Sequence, residues 1–216
     1  MSINDNISNI MKGLSEEITL IAISKYKCTA EIKQAYECGI RNFGENKVQE
    51  LLDKFDVLPQ DISWHLVGHL QRNKVKYIVG KVAFIHSLDS VRLLDEIEKQ
   101  YALKGLTSKV LIQINIGEEE SKTGIKLNEL EALLEACEKS NHTRVEGLMA
   151  IIPKGDEECS RQYFKQMKHI WSGLKLRNYK NIEMKYLSMG MTEDYKAAIF
   201  EGSNMIRVGT GIFGKR

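Results

Sequence analysis

Val110-Leu111-Ile112-Gln113-Ile114-Asn115-Ile116 is followed by Leu127, Leu130, Leu133, Leu134 and Cys137 at helical spacing. The first run is apolar and β-branched, the composition of a strand buried on both faces. The second is one face of a helix, with Asn128 and Glu131 spaced as a capping box at its start. A strand of this kind joined to an amphipathic helix is the repeating unit of a parallel sheet wrapped by helices.

The same unit recurs on either side. Upstream, the expected strands are Ile18 to Ile23, Arg41 to Phe43, Ile62 to Val67 and Val82 to His86. Their helices are marked by Ile32, Ala35 and Tyr36 (ended by Gly39), by Val48, Leu51, Leu52 and Phe55, by the stretch from Asn73 to Val79, and by Val91, Leu94, Ile97 and Tyr101. Downstream, Val145 to Ile151 leads to a long helix with Phe164, Met167, Trp171 and Leu174. Met184 to Ser188 and Met205 to Val208 supply the last two strands, around a helix with Tyr195, Ala198 and Ile199. Eight strands are the number that closes a barrel, and no Gly-rich dinucleotide turn follows the first of them. The expected fold is therefore α/β: a single (β/α)8 TIM barrel spanning residues 1–216. An extra N-terminal helix within residues 1–17, about Asn6 to Leu14, would cover its bottom or side.

Composition narrows the function. The 216 residues carry 31 Lys+Arg against 29 Asp+Glu, a net charge of +2, which supplies no field for nucleic acid or an anionic membrane. No apolar run approaches a membrane span, and Met1 to Asp5 lacks the order of a signal peptide, so a cytoplasmic protein is expected. The four cysteines show no Cys-x-x-Cys or zinc spacing. His65 and His69 are four residues apart, but in an extended segment that is roughly 13 Å, too far to share an ion. No metal site is expected.

Barrels place reactive groups at the C-terminal ends of their strands, and phosphate commonly in the loops after strands seven and eight. Lys25 follows the first strand; at the mouth of an apolar scaffold its amine is either a solvated strand end or a nucleophile toward a carbonyl. Ser188-Met189-Gly190-Met191-Thr192 follows strand seven and leads into a helix, whose N-terminus favours an anion. Gly209, Thr210 and Gly211 follow strand eight, where glycine lets backbone N–H groups approach phosphate oxygens. Strands one and eight are neighbours in a closed barrel, so amine and phosphate loops share one rim, and an aldehyde bearing a phosphate is the natural ligand. On the residues alone this is either a sugar phosphate in an aldolase-like reaction or pyridoxal 5′-phosphate (PLP). Arg207, on strand eight, could donate to a pyridine nitrogen or enter an ordinary ion pair.

Several segments together are similar to a known family: Ala22-Ile23-Ser24-Lys25, Phe43-Gly44-Glu45-Asn46 with Val48-Gln49-Glu50, Trp64-His65 through Gly68-His69-Leu70-Gln71-Arg72-Asn73-Lys74, Gln113-Ile114-Asn115 with Ser121-Lys122-Thr123-Gly124, Gly147-Leu148-Met149-Ala150-Ile151, Ser188-Met189-Gly190-Met191, and Arg207 through Gly214. From about residue 18 onward the chain resembles the pyridoxal phosphate homeostasis protein family. The resemblance implies PLP held as an internal aldimine on Lys25, with Ser188, Gly209 and Thr210 at the phosphate and Arg207 at the pyridine nitrogen. Asn46 would be a further pocket residue, and His65 and Met149 would line the ring's surroundings. Ile23 and Met189 depart mildly from the family's usual valine and leucine.

The family's fold is similar to the barrel domain of alanine racemases, which add a second, β-rich domain carrying a tyrosine base. Here the chain ends at Arg216, so the second base is expected to be missing, and no residue is expected to be catalytic. Arg207 would leave the pyridine nitrogen unprotonated and weaken the electron sink. The expectation is a monomeric PLP-binding protein of vitamin B6 homeostasis with little or no turnover. Its partners would be PLP and client PLP-dependent enzymes, with no nucleic acid and no membrane. The alternative is a PLP-dependent, racemase-like enzyme drawing its second base from water or Lys122.

Overall fold

Barrel strands are covered by the interior on one face and by the helical layer on the other, so apolar runs are what their buried stretches require, with Lys109, Glu183 and Lys185 as exposed exceptions. The computed structural model describes residues 2–119 and 122–215. Its strands are β1 Thr19–Ile23, β2 Asn42–Glu45, β3 Ser63–Leu66, β4 Phe84–Leu88, β5 Ser108–Ile114, β6 Thr143–Ala150, β7 Ile182–Ser188 and β8 Met205–Val208. Each pairs in parallel with the next, and β8 pairs with β1, closing the barrel. The helices are α1 Ile3–Met11, α2 Thr29–Glu37, α3 Val48–Phe55, α4 Val75–Ile78, α5 Val91–Ala102, α6 Leu130–Glu138, α7 Glu157–Lys175, α8 Tyr195–Phe200 and α9 Thr210–Phe213.

Several boundaries differ from expectation for local reasons. The leading helix runs from Ile3 to Met11 because Ser2 caps it: its Oγ accepts the Asp5 N–H at 3.2 Å and the Asp5 carboxylate accepts the Ser2 N–H at 3.0 Å. It lies on the barrel's side, buries Ile7 and Ile10, and packs against α2 and α9. The fourth strand begins at Phe84 rather than Val82 and reaches Leu88. The capping box expected at Asn128 and Glu131 does not form. A 3-10 turn, Leu127–Glu129, precedes α6, Glu129 accepts the Lys126 N–H, and Glu131 instead pairs with Arg177 at 2.8 Å.

The interior holds an apolar cluster of Ile21, Phe84, Leu111, Met149 and Met205. The larger outer core seats the helices on the strands, through Phe43, Trp64, Leu66, Ile85, Ile112, Leu148, Leu187 and Ile206 among others. Two residues beyond members of the interior cluster, the inward positions turn polar: His86 after Phe84, Gln113 after Leu111, Arg207 after Met205.

Candidate functional site

The register between β1 and β8 sets Ile21 opposite Arg207 and Ala22 opposite Val208. Continuing it brings Gly209 beside Ile23: a Cβ on Gly209 would lie 3.4 Å from that of Ile23, in ordinary contact. Lys25, half-buried, stands two residues further along in the turn after β1. The strand-one amine and the strand-eight glycine loop therefore share the C-terminal rim, as expected. Thr210 opens α9 and is exposed.

Below this rim a buried polar chain crosses the interior. Arg207 Nη1 donates to Ser188 Oγ at 2.7 Å, and its Nη2 to the Ala150 carbonyl at 2.8 Å. Ser188 Oγ lies 3.4 Å from His86 Nδ1, His86 Nε2 lies 2.9 Å from His65 Nδ1, and His65 Nε2 lies 3.2 Å from Asn42 Oδ1. Burial holds both imidazoles neutral. It lowers the His65 pKa to about 3, and for His86 the positive Arg207 adds to the effect. A neutral imidazole has one N–H and one lone pair, and one assignment satisfies every contact. Ser188 O–H donates to His86 Nδ1, His86 Nε2–H to His65, and His65 Nε2–H to Asn42. Every hydrogen bond then runs in one direction, and Ser188 Oγ keeps its lone pairs toward Arg207.

Arg207 is only 4% exposed, and burial pulls its pKa down to about 10. Among the described residues no carboxylate forms a salt bridge with it; Asp194 acts on it from further away. A guanidinium so placed is a desolvated positive charge whose burial two hydrogen bonds offset only in part.

His65 joins this chain, while His69, in the loop after β3, is half-exposed outside it with Asp89 Oδ2 at 3.3 Å. Met149 pairs in register with Ser188 but packs within the apolar cluster, under the polar chain rather than in it. Asn46 is half-buried at the end of β2. The loop after β3 crosses it so closely that a Cβ on Gly68 would fall 2.3 Å from the Asn46 carbonyl oxygen. Lys122, considered above as a base, donates to the Ile152 carbonyl and pairs with Glu119.

The loops after β7 and β8, expected to hold phosphate, are built differently from expectation. Thr192 Oγ1 accepts the N–H groups of Gly209 at 3.3 Å and Gly211 at 3.1 Å, tying the strand-seven loop to the strand-eight loop. The strand-seven loop does not run straight into its helix: Asp194 closes a turn by accepting the Met191 N–H at 2.6 Å. Gly190 has φ +93, and a Cβ there would fall 2.6 Å from that of Ala198, so only glycine lets this loop fold onto α8.

Several contributors were not anticipated, Asn42 and Thr192 among them. His86 reads in the sequence as an ordinary strand end. Glu45, Glu50 and Lys54 form a cluster beneath the Lys25 turn, with the Lys54 amine 2.8 Å from Glu45 Oε1 and 2.7 Å from Glu50 Oε1. Desolvation raises the pKa of Glu45 against the opposing pull of Lys54 and Ser24. Lys54 carried a signal, since it continues the Val48, Leu51 stripe of α3 at three-residue spacing. The cavity of about 470 Å³ lined by Leu134, Glu138, Arg177 and Tyr179 lies outside the barrel, between α6 and the α7–β7 connection, apart from all these groups.

Comparison with known proteins agrees with this architecture. Residues 1–216 match the family model of the alanine racemase N-terminal domain. A pyridoxal phosphate homeostasis protein of Aquifex aeolicus (strain VF5) is 41% identical over 199 residues, covering 91% of this chain and 86% of that protein. One from Escherichia coli (strain K12) is 42% identical over 207 residues, covering 93% and 87%. PipY of Synechococcus elongatus PCC7942, solved without PLP, superposes with a TM-score of 0.93 at 33% identity, covering 99% of this chain and 100% of that one. The same protein with PLP bound gives 0.90. Alanine racemase of Clostridium difficile 630, at 14% identity and TM-score 0.78, shares the fold alone. With the barrel, the rim amine and the buried arginine in place, these matches make the chain a member of the pyridoxal phosphate homeostasis protein family.

Proposed function

We propose that this protein binds pyridoxal 5′-phosphate at the C-terminal mouth of its barrel, covalently through Lys25, and serves vitamin B6 homeostasis by holding and releasing the cofactor with little or no turnover. The observation that carries this reading is Arg207: a buried guanidinium bonded to Ser188, without a carboxylate partner among the described residues, on the strand beside the one that leads to Lys25. Such a charge is stabilised by an anionic or acceptor ligand and by little else. The homologues named for this role, and PipY solved with PLP, support the same reading.

When bound, the cofactor supplies an aldehyde that condenses with a primary amine, and a pyridine ring able to withdraw electrons. Lys25 provides the amine. Gly209, Thr210 and Ser188, the last by turning its hydroxyl from His86, would hold the phosphate, with Thr192 keeping the two loops together, and Gly209 leaves room for close approach because no side chain fills its position. Arg207 would donate to the ring nitrogen and, remaining charged, deny it a proton. Asn46 would close the pocket's edge, His65, bonded to His86, would line the ring's surroundings, and Met149 would form the apolar floor. Weakening the electron sink suits storage better than carbanion chemistry. We further take the protein to act as a monomer that passes PLP to client enzymes in the cytoplasm, a compartment in keeping with its unpaired thiols.

Protein mixed with PLP is expected to turn yellow, and borohydride to fix the cofactor on Lys25, as mass spectrometry would locate. Lys25→Ala is expected to stay colourless and fix none; undiminished binding by this variant overturns the covalent anchor. Exchange of amino-acid α-protons in heavy water at enzymatic rates would instead favour the racemase-like alternative.

A further inference from the structure

Lys25 sits between two residues that one buried ion cluster grips. Lys54 is 6% exposed, on the face of α3 that packs against the barrel. An ammonium has three protons, and all three are used here: on the Ser24 carbonyl at 2.8 Å, Glu45 Oε1 at 2.8 Å and Glu50 Oε1 at 2.7 Å. Glu45 Oε1 also accepts the Ser24 hydroxyl at 2.6 Å, and Glu50 Oε1 the Tyr26 N–H. The backbone on either side of Lys25 is thus tied to the same three charges. Tyr26 itself adopts φ +64, a left-handed conformation uncommon for a bulky residue and kept only where the surroundings hold it. A buried ion triad is a poor general stabiliser, because desolvation offsets most of its attraction; a hydrophobic residue at position 54 would seat α3 as well. What a hydrophobic residue could not do is bind the carbonyl before Lys25 and orient the carboxylate that binds the amide after it.

We propose that Glu45, Glu50 and Lys54 are positioning residues that hold the Ser24-Lys25-Tyr26 turn so that the Lys25 amine meets the bound aldehyde in one orientation. This rests on the reading of Lys25 given above. The three residues touch no cofactor; they act through the backbone of the turn, leaving Lys25 outside the ion pairs formed among the described residues.

The test compares Glu50→Ala with the wild-type full chain by three readouts. The first is the rate at which borohydride fixes PLP on Lys25. The second is hydrogen exchange of the Tyr26 amide. The third is the affinity for pyridoxine 5′-phosphate, which fills the same pocket but has no aldehyde. Glu50 is partly exposed, and its loss is expected to spare the fold, speed exchange ten-fold or more, slow fixation ten-fold or more, and leave pyridoxine 5′-phosphate affinity within two-fold. Glu50→Gln, which keeps the acceptor oxygen, is expected to recover most of both rates. Wild-type fixation in Glu50→Ala overturns the proposal, as does unchanged exchange at Tyr26. A parallel loss of pyridoxine 5′-phosphate affinity overturns it too, by making the cluster a prop for the whole pocket. Lys54→Met is a harsher form of the same test, and where it fails to fold Glu50→Ala decides. If wild-type protein fixes no PLP on Lys25, the functional reading falls. Acetic anhydride labelling of Lys25 then decides the present proposal: equal labelling rates in wild type and Glu50→Ala overturn it, and a changed rate in the alanine variant alone supports it.

Discussion

Two residues along the same strands, a rise of roughly 6–7 Å, the barrel interior changes character. Phe84, Leu111 and Met205 belong to an apolar cluster; His86, Gln113 and Arg207, their inward successors, are just as buried and all polar. The lower level stabilises the fold by removing hydrocarbon from water. The upper level desolvates a guanidinium and two imidazoles, and its hydrogen bonds offset that only in part. A chain that needed only a barrel would fill both levels with hydrocarbon. The difference separates residues that hold the barrel together from residues whose burial is unfavourable by itself.

Breaking the lower level should have the largest effect on stability. Leu111 is fully buried, and Leu111→Ala is expected to cost about 3 kcal/mol of unfolding free energy in urea titration, from lost transfer energy and the cavity left behind. Fixation of PLP on Lys25 by the folded fraction should persist. Arg207→Met reverses the pattern. PLP affinity is expected to fall about 30- to 100-fold, the magnitude of one or two charge-assisted hydrogen bonds, while the cofactor-free protein unfolds at the same or a higher urea midpoint. A large loss of apo stability in Arg207→Met would mean that the upper level is structural after all.

The lower level was the more legible from sequence. Val110–Ile116 is apolar on both faces, shorter runs alternate with helical stretches on either side of it, and β8 falls where expected at Met205–Val208. Boundaries slipped where short polar contacts decide them, as when Ser2 and Asp5 start α1 early or Glu129 caps ahead of Glu131. Toward the mouth, Ser188, Arg207 and Gly209 could be nominated as candidates because barrels reuse the ends of strands seven and eight. His86 and Lys54 could not be found that way, because their roles depend on partners from other elements: His65 and Ser188 for one, Glu45 and the Ser24 carbonyl for the other. Thr192 reads in the sequence only as the end of the strand-seven loop, since nothing local shows a threonine hydroxyl reaching two amides of the next loop.

The smallest effect separates the two levels by proton. The ordinary histidine pKa is near 6.5, and burial brings that of His65 to about 3. As pH falls below 6.5 the unfolded chain binds a proton that the folded chain refuses until about pH 3, so this contribution to stability is complete above 6.5 and drains away in acid. At pH 5 the loss from His65 is about 2 kcal/mol, and His86 acts in the same direction. Glu45 opposes them, because burial raises its pKa and the folded chain takes up its proton first. Comparison with His65→Gln at each pH removes that term. The variant's deficit in urea unfolding should therefore shrink between pH 7 and pH 5, while the deficit of Leu111→Ala, which removes no titratable group, should stay constant. Parallel profiles for the two variants would mean that the imidazole is protonated without penalty, and with that the distinction between the two levels of the barrel would fail.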